Sequence, residues 1–82
     1  MEIKNSDLVS GKLYRITKPK IYFYDKTWIE TFYPVGTTLM FLYEIPEPKI
    51  KLTWLYYLAG TRLVYHSCHH DLISNIDFLK GV

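Results

Sequence analysis

Hydrophobic and polar residues alternate in short runs separated by turn residues, and few runs hold a helical spacing. Lys12–Thr17 (KLYRIT) is rich in β-branched and aromatic residues and predicts a first strand, ended by Pro19. Ile21–Tyr24 and Thr27–Tyr33 flank Asp25-Lys26, a hairpin pattern. Pro34-Val35-Gly36 is a turn before the strand Thr37–Glu44 (TTLMFLYE), which Ile45-Pro46-Glu47-Pro48 then breaks. Ile50–Leu58 and Thr61–His66, or slightly beyond, are joined at Ala59-Gly60 as a hairpin. Short helical turns are expected at Ser6–Gly11 and His69–Ser74. At the end, Ile76 and Phe78 fit a closing strand over Asn75–Lys80. Leu72, Ile73, Ile76 and Leu79 fit a helix over 70–80 equally well. The whole is an all-β (mainly β) pattern of five to seven strands in one domain spanning 1–82.

The strands carry more apolar side chains than one interior needs. In Thr37–Glu44 one face holds Leu39, Phe41 and Tyr43 and the other Met40 and Leu42. In Ile50–Leu58 one face holds Ile50, Leu52, Trp54, Tyr56 and Leu58, and the other Leu55 and Tyr57. The richer faces are expected inside. Met40, Leu42, Leu55, Tyr57 and Val64 then form an outer set, covered by the long loop or exposed as a contact surface. Tyr and Met are the residue types such surfaces favour.

Composition adds two constraints. Aromatic residues make up 17% of the chain, including eight tyrosines and two tryptophans. The aromatic stretch Ile21–Trp28, with Trp54, Tyr56 and Tyr57, suits core packing, protein contacts or base stacking. The net charge is only +2, too small to argue for nucleic acid by itself. Residues 1–20 carry five cations against two carboxylates, whereas residues 21–48 carry Lys26 against Asp25, Glu30, Glu44 and Glu47. The aromatic stretch therefore lies in the acidic third, where phosphate is repelled. A single cysteine, no membrane-length apolar run and no secretory core at the N-terminus predict a cytoplasmic protein.

One segment concentrates reactive side chains. His66, Cys68, His69 and His70 lie within five positions of one another, beside Asp71. They are weak metal candidates, because no second ligand pair exists elsewhere to close a tetrahedral site. A thiol nucleophile at Cys68 needs an oxyanion site and a walled pocket, which a short barrel offers poorly. No phosphate-cradling glycine loop or cofactor fingerprint is present, so neither catalysis nor a cofactor is expected.

The glycine-led strands Gly11-Lys12-Leu13-Tyr14-Arg15-Ile16, Gly36–Tyr43 and Gly60-Thr61-Arg62-Leu63-Val64-Tyr65, with a long loop after the first, resemble an SH3-like small barrel. The pattern is also similar to small bacteriophage proteins of that shape. The resemblance implies an accessory role: binding a host protein in the host cytoplasm and modulating or inhibiting it. The acidic-aromatic loop and paired tryptophans of the signalling type are missing, so proline-rich ligands do not carry over. The sequence thus predicts a non-enzymatic protein-binding module, with Tyr22, Tyr24 and Trp28 as first contacts and Met40, Leu42, Leu55 and Tyr57 as the second set. Homo-oligomerisation through that set is an open alternative, and no membrane association is expected. The second reading is a nucleic-acid-binding barrel using Lys12, Arg15, Lys18, Lys20, Lys49 and Lys51.

Overall fold

A computed structural model describes residues 8–18, 22–69 and 78–82. Seven antiparallel strands form one sheet curled into a half-barrel: β1 (Leu13–Ile16), β2 (Tyr22–Tyr24), β3 (Glu30–Phe32), β4 (Thr38–Glu47), β5 (Leu52–Ala59), β6 (Arg62–His69) and β7 (Leu79–Gly81). Their order in space is β3-β2-β6-β5-β4-β1-β7. The strand expected near the C-terminus is β7, and the helix weighed against it over 70–80 gives way at Leu79 and Lys80. The helical turns expected at Ser6–Gly11 and His69–Ser74 fall partly and mostly outside the described residues. The described 3-10 turn lies elsewhere, at Pro48–Ile50 between β4 and β5. The sheet is open: among the described residues β3 pairs only with β2 and β7 only with β1.

The concave inner face holds the core. Tyr14, Ile16, Phe23, Leu39, Phe41, Leu55, Tyr57, Val64 and Leu79 are buried together, with Leu8, Tyr33, Ala59, Cys68 and Phe78 packed at the margin. Two expectations are corrected here. Leu55, Tyr57 and Val64, assigned outward from the count of apolar residues, are fully buried inside. Trp54 and Tyr56, assigned inward, lie on the outer face. The β5–β6 turn at Gly60-Thr61 couples the two strands, setting Tyr57 opposite Val64 and Leu55 opposite His66. Once β1 and β2 bring Tyr14, Ile16 and Phe23 onto one side, every residue of that ladder follows.

A further correction concerns β4, which continues through Ile45 and Pro46 instead of stopping at Glu44. Beyond the stretch that meets β1, this strand is bordered among the described residues by β5 alone, so a proline without an N–H is tolerated. The register also shifts between Phe41 and Tyr43. Gly11 N–H donates to the Phe41 carbonyl at 2.7 Å and the Ser10 hydroxyl to the Leu42 carbonyl at 2.6 Å. Two consecutive carbonyls therefore point to the same side, which is a β-bulge. The bulge re-aims Tyr43 from the inner face to the outer one, where it lies opposite Tyr56.

Candidate interaction face

The outer face of β3, β2, β6, β5 and β4 is aromatic. Tyr22 and Phe32 meet edge to face at 5.2 Å on the β2–β3 ribbon. Tyr43 stacks on Tyr56 at 4.9 Å, and Tyr56 lies 5.0 Å from Tyr65. Trp28, Trp54 and Tyr65 make a corner of nearly perpendicular rings, with centroids 5.2 to 5.8 Å apart. Tyr24 joins it through Trp28 at 5.7 Å. Distances this short describe rings in contact, an arrangement that stabilises the cluster beyond area burial alone.

Trp28 is carried there by the β2–β3 turn. Its N–H donates to the Asp25 carbonyl at 2.9 Å. The Asp25 carboxylate takes both the N–H and the hydroxyl of Thr27. These bonds hold the Asp25 carboxyl below the ordinary carboxylate range. The Tyr65 hydroxyl donates to the Asp25 carbonyl at 2.8 Å, tying the turn to β6. Trp28 itself sits at φ +60°, a left-handed conformation that is a genuine outlier for a bulky side chain. Glycine takes that geometry freely, whereas an L-residue carries about 1–2 kcal/mol of strain there. The ring nevertheless remains 60% exposed, so burial does not account for its presence.

The turn covers Tyr65, which is only 6% exposed, and little else. Tyr22, Trp28, Phe32, Tyr43, Ile45 and Leu63 stay open on this side. Across the strand positions from β3 to β4 on the outer face, the only Asp, Glu, Lys or Arg side chains are Glu30 and Glu47. Both carboxylates accept from aromatic donors: Glu47 from the Trp54 indole N–H at 2.9 Å, Glu30 from the Tyr24 hydroxyl at 3.4 Å. An open cleft at the turn end is lined by Asp25, Lys26, Thr61, Arg62 and Leu63.

The first expected contacts are thus brought together: Tyr22, Tyr24 and Trp28 share the outer face. Of the second set, Met40 and Leu42 are half-buried, while Leu55 and Tyr57 belong to the core. Phe32, Tyr43 and Tyr65 were missed. Tyr43 was out of reach because a bulge leaves no reliable pattern, but Tyr65 follows from Trp54 and Tyr56 once the turn fixes the register.

The basic residues do not form one patch. Arg15 lies opposite Lys80 on the outer face of β1 and β7. Lys12 sits with its Nζ 5.6 Å from the Tyr14 ring centroid. Lys49 and Lys51 occupy the β4–β5 tip, which lies about 23 Å or more along β4 from its pairing with β1. Lys18 follows β1, and Lys20 lies outside the described residues.

The histidine segment splits by strand alternation. His66 and Cys68 point inward and His69 outward, while His70 lies outside the described residues. Among the described residues no three metal-ligating side chains converge. His66 is buried between Phe23 and Phe78, with its Nε2 2.9 Å from the Tyr57 hydroxyl and its Nδ1 3.7 Å from Cys68 Sγ. Burial pushes the Tyr57 phenol well up, so it keeps its proton in this hydrogen bond, whose direction follows the imidazole tautomer. Desolvation lowers the His66 pKa to about 4 against a backbone bond at Ser67, so the ring is neutral at pH 7. Burial also raises the Cys68 thiol, the opposite of what a nucleophile needs. This trio reads as a satisfied polar element of the core.

Fold and face together define an open, curled antiparallel sheet with an aromatic outer surface. Among the described residues no helix is long and apolar enough to cross a membrane. Compared with known protein families, curated proteins and solved structures, the chain gives no significant match to any of them.

Proposed function

We propose that this chain is a non-enzymatic protein-binding module whose contact surface is the aromatic outer face around Trp28. The observation that supports this reading is a strained, 60% exposed tryptophan backed by Trp54, Tyr65 and Tyr24. Aromatic anchors on a rigid backing dominate binding energy at protein interfaces. In the form implied by the resemblance to phage proteins, the partner is a bacterial host protein, blocked by occlusion of its surface.

The nucleic-acid reading, which uses Lys12, Arg15, Lys18, Lys20, Lys49 and Lys51, gains support only at Arg15, beside Lys80 of β7. It is disfavoured by Glu30 and Glu47, the charges beside the stacking surface. Affinity capture from nuclease-treated bacterial lysate separates the two. Wild-type chain is expected to retain a protein that Trp28→Ala loses and Lys49→Ala/Lys51→Ala keeps. Capture that vanishes with nuclease, or that is indifferent to Trp28, refutes the proposal.

A further inference from the structure

The charge pattern of the outer face says what kind of partner it fits. Resting on the protein-binding reading above, we infer that the face takes an extended, cationic segment of a partner, with arginine or lysine side chains laid over Trp28 and Trp54 between Glu30 and Glu47. Three observations converge on this occupant. First, the strand positions of the face hold two formal charges, and both are carboxylates. Second, each carboxylate accepts a hydrogen bond from an aromatic donor of the cluster, Trp54 or Tyr24. Negative charge at the edge of an indole or phenol increases electron density over the ring, and that density is what attracts a cation. Third, the outer strand positions from β3 to β4 carry no positive side chain: Lys26 and Lys49 sit on turns, Arg62 lies at the start of β6 beside Asp25, and Arg15 and Lys80 lie beyond β4 on β1 and β7.

Shape decides between an extended segment and a second copy. The inner face of the curled sheet is filled by the core, so the aromatic face is the convex one. Two convex faces touch along a narrow strip, far below the area a stable pair needs. A flexible segment follows the curvature. Arginine suits this site better than lysine, because its planar guanidinium stacks on an aromatic face while its fork reaches a carboxylate.

The two tryptophans, Trp28 and Trp54, both lie in the proposed contact, so intrinsic fluorescence reports it directly. The full chain is titrated with short peptides of repeating Gly-Ser-Arg, Gly-Ser-Lys and Gly-Ser-Glu, and with oligothymidylate. The arginine peptide is expected to change the fluorescence saturably, the lysine peptide more weakly, and the acidic peptide and oligothymidylate not at all. Glu30→Gln and Glu47→Gln should each weaken the arginine peptide about two- to fivefold. Glu44→Gln makes the same charge change on the other side of β4 and should leave it unchanged. Trp28→Ala, read through Trp54, should cost about fivefold.

The inference is overturned if Glu30→Gln and Glu47→Gln behave like Glu44→Gln, or if the acidic peptide or oligothymidylate binds as well as the arginine peptide. It is equally overturned if sedimentation shows self-association that Trp28→Ala abolishes, which assigns the face to a second copy. Loss of the peptide effect alongside a Trp28-dependent protein capture leaves the protein-binding reading standing with a different partner. Loss of both removes both.

Discussion

Acid should unfold this protein through one histidine. His66 is buried at 3% exposure among Phe23, Tyr57 and Phe78, and its pKa is lowered to about 4 from 6.5. The largest cause is desolvation of the imidazolium, and no carboxylate faces the ring among its described contacts. Between pH 4 and 6.5 the unfolded chain binds a proton that the folded chain does not, so stability rises with pH across that window. The contribution is complete above the unfolded pKa and lost as pH falls below it. Integrating the two titrations, His66 alone removes about 2 kcal/mol between pH 7 and pH 5, and about 3 kcal/mol by pH 4. With small-domain urea slopes, the pH 5 loss corresponds to a midpoint about 1–2 M lower, a large share of the stability of a chain this size. The assay is urea unfolding followed by tryptophan fluorescence at pH 7, 6 and 5, on wild type and on His66→Gln. Glutamine can hydrogen-bond the Tyr57 hydroxyl in either direction but does not titrate, so the variant should be less stable at pH 7 and nearly flat down to pH 5. A wild-type slope no steeper than that of His66→Gln refutes the reasoning. So does an NMR titration placing the His66 ring near 6.5.

Three further outcomes follow from the same structure. Tyr57→Phe leaves the buried His66 Nε2 without its hydrogen-bond partner and should cost about 1–3 kcal/mol by chemical denaturation, with no change in secondary structure by circular dichroism. Leu55→Ala should cost about 2–5 kcal/mol, since Leu55 is fully buried, whereas Leu63→Ala on the outer face should stay within about 0.5 kcal/mol; equal costs would mean that the two faces are misassigned. Lys51 sits at φ +55° after the 3-10 turn with its side chain exposed, so Lys51→Gly should relieve left-handed strain and raise stability by about 0.5–1 kcal/mol, some 2–8 °C in Tm.

What the sequence by itself determined was local. Alternation and turn residues were enough to locate most strands, the β2–β3 hairpin at Asp25-Lys26 and the β5–β6 turn at Gly60, but not the far end of β4 or the choice of strand over helix at the C-terminus, because periodicity and backbone preference act over a few residues. The aromatic run Tyr22, Tyr24 and Trp28 in the hairpin was also legible, and the structure brings the three together on one face. The tertiary structure alone decided which face looks inward. On β5 both Leu52/Trp54/Tyr56/Leu58 and Leu55/Tyr57 are apolar, and counting them favoured the wrong side. The choice was made by distant chain, Tyr14 and Ile16 on β1 and Phe23 on β2, which cover Leu55 and Tyr57. It also took the tertiary structure to place Tyr43, through a bulge held by Ser10 and Gly11, to carry β4 past Pro46 where β5 alone borders it among the described residues, and to divide His66 and Cys68 from His69. A strand with two apolar faces carries no inward signal of its own. The interior is defined only when other strands arrive to exclude water from one side.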